Sequence, residues 1–303
     1  MNELLTLFLN NLLPILLASA AGYVLSRLID INPRSLSQII FYIFSPCLIF
    51  TLLTKNKLEG SEVLRIMLFA ASTVLLVGAL AWIGGRIFKF ERRVLSAVML
   101  TSMFMNAGNY GLPLVLFAFG DMALGYASLT FVTSAILTYS LGVVIASSGS
   151  TSVWRALLNL VKVPTIYALI LALVIMSTGW TLPLPLDRTV TLLGNASIPA
   201  MLVLMGIQFK NVIWKGQVGP MALASVLRLA AAPAIALALC PVFGITGLAY
   251  QAGVTELAMP SAVLNTVLAT EFDVEPSLVT ATVFVTTLLS PFTLTPLLAF
   301  LGA

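Results

Sequence analysis

Apolar runs of about eighteen residues or more recur along the whole sequence, each long enough to cross a bilayer as a helix. That feature leaves few folds open. Inside a bilayer no water satisfies backbone N–H and C=O groups, so a spanning segment must close its own hydrogen bonds, and continuous apolar runs of this length do so as α-helices. Composition agrees. Of 303 residues 60% are hydrophobic and 9% charged, with a mean hydropathy of +1.08, more apolar surface than a soluble core of this length can hide. The expected class is an all-α integral membrane protein in the cell membrane.

The formal net charge of +4 does not point to nucleic acid, because the fifteen Lys and Arg residues are scattered among short connections and form no basic stripe. The N-terminus carries Glu3 before an apolar stretch too long for the core of a cleavable signal, and reads as the first spanning helix. Cys47 and Cys240 lie inside apolar segments, which suggests neither a disulfide nor a metal site. The absence of histidine removes His-based triads and His proton relays.

Breaks at charged or Gly/Pro-rich connections give ten expected spans, at 4–28, 36–54, 63–88, 94–119, 122–147, 157–178, 188–209, 217–240, 243–270 and 277–301. The Ser/Gly/Thr-rich stretch from Ser147 to Arg155 reads as a linker between halves 1–150 and 151–303. Ten basic residues fall on one set of connections: Arg27, Arg34, Arg86, Lys89, Arg92, Arg93, Arg155, Lys162, Lys210 and Lys215. Four fall on the other, Lys55, Lys57, Arg65 and Arg188, so the positive-inside rule places both termini on the non-cytoplasmic side.

The halves echo one another. Pro14 and Pro164 are 150 residues apart, Pro46 and Pro199 are 153 apart, and Pro113 and Pro260 are 147 apart. Phe131-Val132-Thr133-Ser134 matches Phe284-Val285-Thr286-Thr287 at 153. Five spans per half is an odd number, so the second copy enters the membrane from the opposite side. The expected architecture is a pair of inverted five-helix repeats with broken helices four and nine crossing near the midplane.

Pro113 and Pro260 mark the expected breaks, each freeing a carbonyl four residues earlier, on Asn109 and Glu256. Around the first stand Asn106, Gly108, Asn109, Tyr110 and Gly111: amides, a hydroxyl and two glycines read as backbone freedom. Around the second stand Thr255, Glu256, Ser261 and Asn265. A carboxylate in mid-membrane is costly and reads as a titrating group, a cation ligand or half of an ion pair. Arg228, the basic residue deepest in a span, is its candidate partner, or a fork for a substrate carboxylate. Thr133 and Ser134 either line the site with Thr286 and Thr287 or bond their own helices.

The ten spans, the inverted halves, the string Asn106-x-Gly108-Asn109-x-Gly111-x-Pro113 and the matching Pro260 together resemble the auxin efflux carrier family. Bacterial members include malonate- and malate-type permeases, and plant members the PIN carriers. The resemblance implies a PIN-like fold, with helices one, two, six and seven as a scaffold and helices three to five and eight to ten as a transport domain moving like an elevator. It further implies a homodimer, with Asn106 and Asn109 as substrate contacts. Tyr110, Gly111, Ser261 and Asn265 join them in the candidate substrate site, with Pro113 and Pro260 at the crossing. A shared fold with bile-acid sodium symporters leaves sodium coupling at Glu256 open, beside proton coupling through Glu256 and uncoupled uniport. No cofactor is implied.

The expected function is carriage of a small organic anion, since helix N-termini favour negative charge. An intramembrane enzyme lacks its nucleophile turn or paired aspartates here. A channel would spread polar rings along a pore, whereas these polar residues gather at one depth.

Overall fold

The structure, a computed structural model, describes residues 3–56, 60–147, 158, 160–211 and 217–303. Lys57, Arg155 and Lys215 of the charge count, and most of the expected linker, lie outside them. The helices are α1 (Glu3–Leu28), α2 (Pro33–Lys55), α3 (Gly60–Ile87), α4 (Arg92–Met103), α5 (Ala107–Ala146), α6 (Pro164–Thr178), α7 (Leu184–Gln208), α8 (Val218–Phe243), α9 (Gly247–Leu257), α10 (Leu264–Glu271) and α11 (Pro276–Leu301). Seven of these, α1, α2, α3, α5, α7, α8 and α11, are long and apolar enough to cross a membrane, and α6 is a shorter apolar helix. The protein is a multi-pass all-α membrane protein.

The helices are apolar on all sides, as membrane spans are. Along α3 the buried residues Ile66, Phe69, Ala70, Thr73, Val74, Val77 and Ala81 recur every three or four positions, while Leu64, Leu68, Leu75 and Leu76 on the other side stay exposed. One face meets protein and the other is left for lipid.

Expected spans four and nine are each interrupted, but the first interruption falls earlier than Pro113 predicts. Helix α4 ends at Met103, Phe104–Asn106 is non-helical, and α5 begins at Ala107 with Pro113 already inside it. The reason is a repeated local device. A five-residue π-turn stands two residues before Pro14, Pro46, Pro113 and Pro233. In each, the residue just before the proline donates its N–H five residues back, Leu112 to Ala107 for example. The widened turn accommodates the ring and the missing donor, so the helix continues.

Pro260, by contrast, lies in a true break, Ala258–Val263, between α9 and α10. The pairing of Pro113 with Pro260 as equivalent break points therefore does not hold. Nor is the Glu256 carbonyl left free, since it accepts the Met259 N–H at 3.2 Å.

Expected spans four and five meet at Gly120, where φ 79° and ψ −176° are non-helical, so α5 is two helical segments joined at that corner without a longer loop. Those angles are essentially open only to glycine.

Small residues set the closest helix approaches. On α1 and α7, Gly22 packs on the backbone of Val203 and Gly206 on that of Ser19. Helix α2 packs on α6 and α7, where Gly194 faces the backbone of Leu48. Elsewhere α3 packs on α4 and α8, α5 on α9, and α11 on α4, α8 and α10.

Candidate functional site at the crossing of two broken helices

The two interruptions cross. Met105 and Ser261 form an antiparallel β-bridge, the Asn106 N–H donating to the Pro260 carbonyl at 2.8 Å and the Ala262 N–H to the Phe104 carbonyl at 2.9 Å. Backbone freed from helix in one break is thus satisfied by the other, as burial in an apolar medium demands. Side chains reinforce the crossing. The Asn265 amide donates to the Phe104 carbonyl and to Ser261 Oγ, both at 3.0 Å, and the Ser261 N–H donates to Thr286 Oγ1 at 3.2 Å.

Arg228 comes from the π-turn of α8 and is 1% exposed. It does not pair with Glu256. Its guanidinium donates to the carbonyls of Ser102 at 3.0 Å and Met103 at 3.1 Å, at the end of α4, and to that of Leu257, at the end of α9. Both helices thus point their negative C-terminal ends at one cation, each end carrying about half a charge. Charge-assisted bonds to three carbonyls tie the first halves of the two broken helices together.

Glu256 is wholly buried, and neither carboxylate oxygen has a hydrogen-bond partner among the described residues. It rests against Gly111 in the first turn of α5. A Cβ at Gly111 would approach the carboxyl carbon to 2.7 Å, and one at Gly108 would approach the Phe131 ring to 2.9 Å. The expectation that these glycines supply backbone freedom is corrected: neither has a positive φ, and Gly111 has φ −67°. They are small because side chains press on them.

Other candidates divide. Asn106 is buried in the first break, its amide 3.9 Å from the Met205 sulfur of α7. Asn109 is half-buried in the first turn of α5. Tyr110 is fully buried and turns to α11, accepting from Ser290 Oγ at 3.3 Å. The hydroxyl of Thr255, also fully buried, has no partner among the described residues. Thr133 and Thr287 bond their own helices, whereas Ser134 reaches the Met105 sulfur at 3.5 Å.

A cavity of about 1240 Å³ opens beside the crossing, bounded by α10 and by residues at one end of α2 and α7. It reaches Val263 and Leu264, at the end of the second break, and carries Arg34, Lys162 and Lys210 against Asp30 and Glu271. Lys210 stands 3.8 Å from Asp30. Asn106, Asn109 and Glu256 do not line it. Sequence reasoning missed this rim, although its basic residues belong to one side of the charge count. It also missed the carbonyls of Ser102, Met103 and Leu257, which have no side-chain signature.

Residues 7–298 match a family described as membrane transport protein. The chain is similar to an uncharacterized transporter of Methanocaldococcus jannaschii, with 27% identity over 266 residues, 86% of each chain. It is also similar to an uncharacterized transporter of Methanothermobacter thermautotrophicus, with 27% identity over 283 residues, 92% of this chain and 93% of the other.

Proposed function

The chain belongs to the membrane transport protein family of auxin efflux carrier type, and from that premise we propose that it is a secondary carrier of small organic anions, mono- or dicarboxylates, working by alternating access. It is a transporter and not an enzyme. The observation that carries the reading is the crossing of two broken helices. In this reading the positive N-terminal end of α5 stands near mid-membrane, and a cavity with three basic residues on its wall opens at the end of the second break.

In this proposal residues 1–150 and 151–303 are inverted repeats, both termini are non-cytoplasmic, and the cavity opens to the cytoplasm. Helices α1, α2, α6 and α7 form a scaffold, and α3–α5 with α8–α11 form a body that moves as an elevator. Support comes from the close glycine-mediated packing of α1 on α7 and of α2 on α7, and from the ties of Arg228 across α4, α8 and α9. Asn106 and Asn109 contact the substrate carboxylate, while Arg228 holds the frame. Since these asparagines do not line the cavity, the described state keeps the site closed from it, and movement of the α10 wall opens the way.

Uptake of malonate, malate and indole-3-acetate into proteoliposomes tests the proposal. Saturable uptake with counterflow, weakened by Asn109→Ala, is expected. Absence of counterflow for every acid, or flux indifferent to Asn109→Ala, would sink it.

A further inference from the structure

Three features meet at Glu256. Its carboxylate is fully buried, it has no hydrogen-bond partner among the described residues, and it rests on Gly111 in the first turn of α5. That turn is the electropositive end of the helical segment that runs from Ala107 to the break at Gly120, where an anion is most favoured. The carboxylate of Glu256 therefore already occupies the place where the field would hold a substrate carboxylate.

The surrounding charges do not relieve it. Helix α9 packs against α3, α5, α8 and α11. Helix α11 has no titratable side chain, and the charged residues of α3, Glu62, Arg65 and Arg86, lie toward its ends. On α5 Tyr110 alone belongs to the turn that meets Glu256, and Asp121, Tyr126 and Tyr139 lie farther along. Helix α8 offers Arg228, whose charge is matched by two helix C-termini of about half a charge each. A carboxylate left bare in so apolar a place needs a companion of its own.

We propose that Glu256 and the substrate carboxylate compete for this single positive seat, so that Glu256 takes up a proton before the anion binds and the two cross the membrane together. The inference rests on reading the crossing as an anion site. In the loading step a proton from water bonds to a Glu256 oxygen and the substrate carboxylate enters; on the far side the anion leaves and the proton returns to water. No other bond forms or breaks, and a monoanion moves with no net charge.

The test uses the full-length protein in proteoliposomes with malonate, malate and indole-3-acetate as probes, over pH 6 to 9. Linkage to one proton predicts an apparent Kd that weakens about tenfold per pH unit at the alkaline end, with about one proton taken up per substrate. Glu256→Gln, neutral at every pH, is expected to bind with a flat pH profile and to lose accumulation driven by an acid-outside gradient. A flat wild-type profile, accumulation by Glu256→Gln under the same gradient, or uptake driven by sodium instead of protons would each overturn the inference. Should Glu256→Gln fail to fold, the wild-type pH slope and proton ratio decide. Saturable counterflow indifferent to pH removes this inference and leaves the carrier reading intact, whereas no counterflow of any acid removes both.

Discussion

Arg228 and Gly111 show how much single residues decide here. Replacing Arg228 with Met leaves three buried carbonyls facing no donor and two helix ends facing no cation, a loss of about 3–5 kcal/mol. A large fall in melting temperature in detergent is expected, and Lys, with one compact ammonium in place of a fork, should restore only part of it. If folded Arg228→Lys lost carboxylate affinity at unchanged stability, the residue would be a substrate ligand after all. Gly111→Ala drives a methyl group into the Glu256 carboxylate. The expected cost is about 1–3 kcal/mol, read by thermal shift, together with a change in carboxylate affinity that Gly219→Ala, with open space at its Cβ, should not reproduce. Neither role was legible from the sequence. A buried arginine beside a buried glutamate suggests an ion pair, and nothing in the identity of Ser102, Met103 or Leu257 announces that their carbonyls take the guanidinium. A glycine near a proline likewise suggests a special backbone angle, when the need at Gly111 is for room.

At the scale of elements, Pro260 marked its break correctly and Pro113 did not, for one physical reason. A proline can be absorbed by a widened turn if the helix before it is free to unwind by a residue, and four prolines here are absorbed in that way. The break at Phe104–Asn106 has no proline or glycine of its own. It exists because Met105 pairs with Ser261, a contact between distant parts of the chain that local propensity does not record. Pro113→Ala should accordingly leave the crossing intact, with little change in melting temperature. Asn265→Ala, which removes bonds to Phe104 and Ser261, should lower stability by about 1–2 kcal/mol in the same assay. Gly120 behaves differently again. Nothing lies within 4 Å of a Cβ placed there, so Gly120→Ala carries only backbone strain, about 1–3 kcal/mol.

For the whole molecule, the all-α membrane class was readable because apolar length is a direct consequence of the bilayer. The cavity was not, since it arises from how α10 stands against α2 and α7. Its position yields a prediction about access. In a background with Cys47 and Cys240 replaced, cysteine at Thr270 should react with a membrane-impermeant maleimide from the side bearing Arg34, Lys162 and Lys210, and cysteine at Thr255 should not. Equal labelling at both positions would contradict the closed site.

The widened turns have one more effect. Each holds about one residue more than a regular turn, and one residue is about 100° of rotation, so a helix changes phase on passing its proline. A stripe of side chains that faces one neighbour below the turn is carried round to face another above it. In α1, α2 and α8, where helix stands on both sides of the turn, that makes the proline a setting of direction: one rod can address one neighbour before the turn and a different one after it, without a loop between them.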